Sequence, residues 1–195
     1  KANLLFERGS AEFATPLVRW YKPPRFVPND PLFPNQWHLQ SSSGNDVNIT
    51  SAWNTVTGVG AKIAITDDGL QETHPDLSPN VRADLSYDYF SNDDDPSPGS
   101  NDYHGTAVAG VAAARGNNSL GVAGAAFEAS LVGVRLTSGF TTDQQEASAM
   151  NHLVSATEAD RVWINSNSWG PVDSGSALET FGPLTRAAIE NGAVN

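Results

Sequence analysis

The chain has 195 residues, of which 39% are hydrophobic and 17% are charged, and its formal net charge is −11. The excess of 22 acidic over 11 basic side chains argues against nucleic-acid binding, and the longest apolar runs are too short to predict a membrane span. The absence of cysteine excludes disulfides, thiolate catalysis and Cys-ligated zinc.

The N-terminal part differs in charge from the rest. Residues 1–25 contain five basic and two acidic residues, whereas residues 26–195 are strongly acidic. Prolines at 23, 24, 28, 31 and 34 predict an extended linker over the region where the two parts join. We interpret residues 1–25 as a detachable or docking leader, with a solvated tail as the plainer alternative, and residues 26–195 as the start of a globular domain.

Strands and helices are predicted to alternate through the acidic part. A helix is expected at 47–57, with Trp53 and Val56 on one face, and the apolar run AKIAIT predicts a buried strand over 61–66. The remaining elements are a helix at 105–115, a strand at 129–136, a helix at 143–156, a strand at 161–165 and a helix at 183–191. This order predicts an α/β fold with a doubly wound, mostly parallel sheet and helices on both faces.

Acidic side chains follow the first predicted strand directly. Asp67 and Asp68 stand at its carboxyl end, where doubly wound sheets collect their chemistry, and His104 opens the next helix. A carboxylate that orients an imidazole is two-thirds of a Ser-His-Asp triad. Such a pair by itself is a weak signal, because most histidines are simply hydrogen-bonded or exposed.

Longer motifs strengthen that interpretation. The chain carries IAITDDGLQETHPDL (63–77), DYHGTAVAGVAAA (102–114) and NSNSWGPVD (165–173), together with DPLFPNQWHL (30–39) and GVAGAAFEASLVGVRL (121–136). From about Asp30 onward it resembles the subtilisin-like serine proteases, and within them the kexin/furin, or proprotein convertase, branch. The resemblance implies that Asp67 is the triad aspartate and that His104 is the general base.

The nucleophile expected from that resemblance is missing. The family carries it in a Gly-Thr-Ser-x-Ala segment and its oxyanion asparagine in a later Ser-Gly-Asn-like context, and neither occurs after the histidine motif. The chain therefore resembles the first half of a catalytic domain, an incomplete fold whose partner is the C-terminal half. We expect it to be inactive in peptide hydrolysis by itself.

The resemblance also implies acidic binding sites for a basic peptide substrate. Asp68 corresponds to the acid of the second subsite, Glu146 to the acid of the fourth subsite, and Asp173 to the carboxylate of the primary specificity pocket. The segment Ser168-Trp169-Gly170 corresponds to the strand that pairs with the substrate backbone. For Glu146 a solvated surface position is an equal alternative. A second acid of the fourth subsite is not matched, since Phe181 stands near the expected place and Glu179 is the nearest substitute. Asp102 lies one residue away from another expected acid of the second subsite.

Calcium is the cofactor that the resemblance implies. One site would use Asp30, Asp76 and Asn118 with the carbonyls of Arg115, Leu120 and Val122, and oxygen ligands of this kind suit Ca²⁺. Turn chemistry alone is the plainer explanation of Asn118. A second site is conceivable at Asp88, Asp93 and Asp95, although runs of acids in such loops are more often solvated.

Three functional classes remain open at this point. The first is part of a secreted or otherwise extracytoplasmic, calcium-dependent serine endopeptidase, made as a zymogen, that prefers basic residues. The second is a non-catalytic, calcium-stabilised binding or inhibitory module of the same fold. The third, a phospho-receiver-like domain, is weak because none of the three lysines follows a later strand. If the first is right, the leader is expected to be cut after Arg25, with Lys22 facing Glu146.

Overall fold

The computed structural model describes residues 8–9, 26–170, 175 and 180–194, so nearly all of the predicted leader lies outside the described residues. The helices are α1 (Ile49–Ala52), α2 (His104–Ala113), α3 (Asp143–Met150) and α4 (Pro183–Val194). The strands are β1 (Lys62–Asp67), β2 (Tyr87–Asp88), β3 (Ser130–Arg135) and β4 (Ile164–Asn167). Short 3-10 turns cover Phe33–Asn35, Ser78–Asn80 and Ala83–Leu85.

The strands form one parallel sheet in the order β2-β3-β1-β4. β1 lies between β3 and β4, and its register pairs Asp67 with Arg135 at the carboxyl end. All six residues of β1 are buried, which is the pattern of a strand covered on both faces. The predicted α/β class with a parallel sheet is therefore confirmed.

The two faces of the sheet pack against different helices. Ile63 and Ile65 of β1 face Ala109 and Ala113 of α2, whereas the other face packs Ala64 with Val132 and Val134 of β3 against Ala149 of α3. Burial of an isoleucine side chain contributes about 1.5–3 kcal/mol. Helices on opposite faces make the sheet doubly wound and leave the carboxyl end of β1 between them.

A third cluster fixes the segment before β1. Trp53 packs with Phe33, Leu39, Ala123 and Phe127, and its indole N–H donates to the carbonyl of Ala125 at 2.8 Å. The helix predicted over 47–57 is reduced to α1, which begins only after Asn48, where φ is 53° and left-handed, and ends at Ala52. The expectation that Val56 shares the buried face is wrong, because Val56 is 63% exposed.

The helix predicted at 183–191 extends to Val194, and two other predicted elements differ more in their bounds. The helix predicted at 143–156 begins at Asp143, where Thr142 and Gln145 form a capping box, but it ends at Met150. The chain then turns, and Leu153 takes a positive φ of 56°. The strand predicted at 161–165 is β4 at 164–167, because the amide of Val162 bonds to Leu153 rather than to a neighbouring strand.

Strand β2 was not predicted, since its two residues carry no periodicity. Within the described ranges, none of the helices combines the length and apolar character that crossing a membrane requires.

Candidate active site

Asp67 ends β1 and is held in place by the sheet. Its carbonyl accepts hydrogen bonds from the amides of Leu136 and Thr137, at 2.8 and 3.1 Å. Its side chain is buried, and Oδ1 accepts the amide of Asp68 at 2.8 Å. This carboxylate is therefore fixed from both its main chain and its side chain.

His104 is the first residue of α2 and points its ring at that carboxylate. Nδ1 lies 2.8 Å from Oδ1 and 3.0 Å from Oδ2 of Asp67. With the Nδ1 proton donated to Asp67, Nε2 of the neutral ring is left as the proton acceptor. The histidine side chain is 54% exposed, so a substrate or nucleophile can reach it.

The acidic surroundings favour the charged form of this imidazole. The hydrogen bond to Asp67 raises the pKa of His104, and the negative charges of Asp67 and Asp68 act in the same direction. A buried carboxylate that stabilises the imidazolium and selects its tautomer is what a general base of the serine-hydrolase type requires.

Asp68 turns toward α2. Its Oδ1 and Oδ2 accept the amides of Gly105 and His104, at 2.6 and 3.0 Å. The next residue, Gly69, has a φ of +134°, and a Cβ there would lie 2.7 Å from the Cα of Pro98. This turn needs glycine, and it directly follows the two carboxylates, of which Asp68 meets the amides of the helix terminus and Asp67 meets the His104 ring. The second-subsite function expected of Asp68 stays a prediction.

Arg135 is a further residue of the site that the sequence reasoning did not single out. Its Nη1 donates to Asp88 Oδ2 at 2.8 Å, and its Nε lies 2.9 Å from the Ser138 hydroxyl oxygen and 3.3 Å from the Asp68 carbonyl. Ser138 in turn donates to Asp102 Oδ2 at 2.9 Å. The arginine stands near the end of a predicted strand, and the sequence carries no further signal for it, because its place beside Asp67 depends on the register of β1 and β3.

The expected fourth-subsite acid lies in a cavity. Glu146 shares a space of about 480 Å³ with Phe140, Trp169, Gly170 and Phe181, among other residues. Its Oε1 accepts the hydroxyl of Thr141 at 2.8 Å. The structure thus brings Glu146 together with two of the three residues of the expected substrate-pairing strand. Ser168 is exposed beside them, whereas Asp173 and Glu179 lie outside the described residues.

The three side chains proposed for the first calcium site converge on one loop. Asp30 Oδ2 accepts the amide of Asn117 at 2.7 Å, and the side-chain amide of Asn118 donates to Asp76 Oδ1 at 2.9 Å. Asp76 Oδ2 also accepts the amide of Val122 at 2.9 Å. Gly121 has a φ of +46°, and a Cβ at this position would collide with the Asp76 carboxylate. The loop is therefore wrapped tightly around both acids.

The chemistry of this donor set fits a hard cation. Asp30 and Asp76 are 2% and 3% exposed, and in the described part of the chain neither pairs with a lysine or arginine. Buried carboxylates without a counter-charge are costly. No three acidic or histidine side chains form a metal-binding group among the described residues. A cation here would therefore depend on Asn118 and on main-chain carbonyls, for which Arg115, Leu120 and Val122 are the expected donors.

The residues of the second expected calcium site have other partners. Asp88 is buried, and its Oδ1 accepts the amides of Phe90 and Ser91 while its Oδ2 meets Arg135. Asp93 and Asp95 are exposed and accept amides of their own loop. A guanidinium already contacts the buried acid, so these contacts add no support for a second site.

An Asp–His pair at the carboxyl end of a central parallel strand is the arrangement that the aspartate and the general base of a serine-hydrolase triad require. Residues 58–195 match the Subtilase family, and the chain belongs to this family of serine endopeptidases. Among curated relatives it is 37% identical to human "Proprotein convertase subtilisin/kexin type 7" over 192 residues, which are 91% of this chain and 24% of the relative. It is 41% identical to "Kexin" of Saccharomyces cerevisiae over 84% of this chain and 20% of the relative.

Solved structures agree on the fold. A serine protease of Aeromonas sobria superposes with a TM-score of 0.71 at 29% identity, over 86% of this chain and 30% of that one. A protease from Pseudoalteromonas arctica gives a TM-score of 0.65 at 30% identity, over 87% of this chain and 56% of that one. The chain spans about a quarter or less of the curated relatives described above. The predicted family resemblance is confirmed.

Proposed function

We propose that this chain supplies the aspartate and the general base of a serine endopeptidase that cleaves after basic residues. The observation that carries the proposal is the 2.8 Å contact between His104 Nδ1 and the buried Asp67 carboxylate. In the reaction, Nε2 of His104 takes the proton of a serine hydroxyl and later returns it to the leaving amine. Asp67 keeps the ring in the tautomer that this transfer needs.

The nucleophile and the oxyanion donor have to come from elsewhere. The 195 residues contain no Gly-Thr-Ser-x-Ala segment, and the proposal assigns the serine and the oxyanion asparagine to further sequence of the same protein. Without the serine and the oxyanion asparagine, the Asp67–His104 pair has no nucleophile to activate, so the 195-residue chain is expected to be inactive.

The preference for basic peptides is supported by charge. The chain has a formal net charge of −11, which steers cationic peptides toward it and speeds their association. Glu146 faces a cavity beside Trp169 and Gly170, where it can receive a basic side chain of a peptide lying along Ser168-Trp169-Gly170.

We also propose that calcium stabilises the domain at Asp30, Asp76 and Asn118. The ion would supply the positive charge that the two buried carboxylates lack among the described residues. The proposed location is secreted or extracytoplasmic, in keeping with relatives that are named proprotein convertases and kexin. Residues 1–25 would then be the end of a prosegment that is removed during maturation.

The test uses the protein encoded by the whole gene and a pair of fluorogenic peptides that differ only in Arg or Gln before the cut. The Arg peptide should be cleaved and the Gln peptide should not. His104→Ala should reduce kcat by about 10³-fold or more while leaving peptide binding nearly unchanged. Turnover retained within roughly tenfold would show that His104 is not the base.

The same experiment separates the alternative, a non-catalytic binding or inhibitory module. The missing nucleophile motif is the observation that favours it. If calorimetry shows that the Arg peptide binds but the protein leaves it intact, and a serine-directed covalent inhibitor does not label the protein, the module is the better description.

A further inference from the structure

Arg135 is the last residue of β3, and its side chain is only 14% exposed. Its Nη1 donates to Oδ2 of Asp88 at 2.8 Å, and the Asp88 side chain is almost completely buried. A buried carboxylate needs a positive partner that offsets the cost of its desolvation. Because Arg135 is in register with Asp67, this ion pair anchors the guanidinium beside the carboxyl end of β1.

The anchored guanidinium reaches the chain directly after the aspartate of the dyad. Its Nε lies 3.3 Å from the carbonyl oxygen of Asp68 and 2.9 Å from the hydroxyl oxygen of Ser138. The Ser138 hydroxyl lies 3.0 Å from the same carbonyl oxygen. Since the amide of Asp68 donates to Oδ1 of Asp67 at 2.8 Å, a group that holds Asp68 also holds the carboxylate of the dyad.

The same side chain reaches the turn that leads into His104. Nη2 of Arg135 lies 3.5 Å from Oδ2 of Asp102, and the Ser138 hydroxyl lies 2.9 Å from that oxygen. Asp102 closes this turn on Gly99, because its amide donates to the Gly99 carbonyl at 3.0 Å and its Oδ2 accepts the Gly99 amide at 3.2 Å. Arg135 and Ser138 thus join the end of β1 to a turn that ends two residues before the general base.

The imidazole of His104 has few restraints of its own. More than half of the His104 side chain is exposed, and in the described part of the chain its ring bonds to Asp67. Because His104 is the first residue of α2, the position of its ring follows the turn before the helix. It also follows Asp68, whose carboxylate accepts the amides of His104 and Gly105. Arg135 contacts both of these supports.

We propose that Arg135 is a positioning residue: its guanidinium joins the chain after Asp67 to the turn before His104, and so sets the distance between the ring and the carboxylate. It acts on turnover through His104, and the second-subsite prediction for Asp68 is unchanged by it. The inference rests on the proposed function for its kinetic readout only, since the geometry of the dyad can be measured without turnover.

The kinetic test compares Arg135→Gln with Arg82→Gln in the protein encoded by the whole gene. Arg82 is the matched control, since it pairs with the exposed Asp84 and with Asp160 instead of with groups around the dyad. Two peptides share Arg at the cut and carry either Lys or Gln one residue earlier.

Misplacement of the base should lower kcat of Arg135→Gln by about 10- to 100-fold on both peptides, by the same factor and with KM nearly unchanged. Arg82→Gln should keep the wild-type kcat on both peptides. A loss confined to the Lys peptide, or one found in KM alone, would overturn the proposal, because the arginine would then act on substrate binding.

A second variant separates position from charge, and it carries the test if Arg135→Gln does not fold. Arg135→Lys keeps a positive charge for Asp88, but an ammonium group cannot bond to Asp88 and to the Asp68 carbonyl together as the guanidinium fork does. Arg135→Lys should therefore be more stable to heat than Arg135→Gln, while its kcat stays reduced by about 10-fold or more on both peptides. Wild-type kcat in Arg135→Lys would show that the charge alone is needed and would contradict the positioning function.

A proton NMR measurement is independent of activity. The Nδ1 proton of a histidine bonded to a carboxylate resonates far downfield, and this resonance should be present in the wild type and in Arg82→Gln. In folded Arg135→Lys it should shift or broaden, with folding checked by circular dichroism. An unchanged resonance would overturn the positioning function. If the wild type cleaves neither peptide, the proposed endopeptidase function fails, while the resonance still decides whether Arg135 positions His104.

Discussion

Gly105→Ala tests how closely α2 has to approach the end of β1. A Cβ at Gly105 would collide with the carbonyl oxygen of Gly69, and it would lie 2.8 Å from the Cβ of Asp67 and 3.1 Å from Oδ1 of Asp68. The first two of these atoms are the main chain of a tight turn and the stem of a buried side chain. Neither can rotate away, so the helix itself has to move.

The magnitude follows from two opposing effects. Overpacking of a well-packed site costs typically about 1–3 kcal/mol, while alanine in place of glycine in a helix gains up to about 1 kcal/mol. We therefore expect Gly105→Ala to lower the free energy of unfolding by about 1–2 kcal/mol. Because the displaced turn carries His104, the contact between the ring and Asp67 should lengthen as well.

Gly110→Ala is the matched control, since it is the same substitution on the same helix. A Cβ at Gly110 meets nothing within 4 Å, so this variant should gain about 0.5–1 kcal/mol from helix propensity alone. Both free energies can be measured by urea unfolding followed by circular dichroism. If Gly105→Ala proves as stable as Gly110→Ala, the close approach inferred for α2 is wrong.

Two further predictions concern stability. Calcium at about 100 times its dissociation constant should stabilise the wild-type domain by about 2.7 kcal/mol relative to the protein in chelator. Thermal unfolding with and without calcium measures this stabilisation, which should be lost in Asp76→Asn and kept in Asp94→Asn. Burial lowers the pKa of His152, whose ring bonds to Tyr89 and to the Leu85 carbonyl, so the fold favours the neutral ring. The contribution of the neutral His152 ring to the free energy of unfolding should be complete above pH 6.5, the ordinary pKa of histidine. It should fall as the pH decreases toward the lower pKa of the folded state. Denaturant midpoints measured between pH 5 and 8 test this prediction. If the midpoint of His152→Gln changes with pH as steeply as that of the wild type, His152 is not the cause of the pH dependence.

The sequence by itself determined the elements that have strong local patterns. The apolar run before Asp67 is long enough to predict β1, and the start of α3 was predicted at Asp143, where the structure has it. Asp67 and His104 were identified because their motifs carry the family resemblance. Chemistry of this kind is tied to residue type and order, which a sequence shows directly.

The tertiary structure alone decided which atoms meet. Asp68 is predicted from the sequence to bind substrate, and only the structure shows that its two oxygens accept amides 36 and 37 residues later in the chain. Arg135 carried no motif of its own, and its pairing with Asp88 spans 47 residues. Local periodicity reports which face of an element is apolar. It does not report where a polar side chain finds its partner, because that depends on the register of strands and on how closely a helix packs against them.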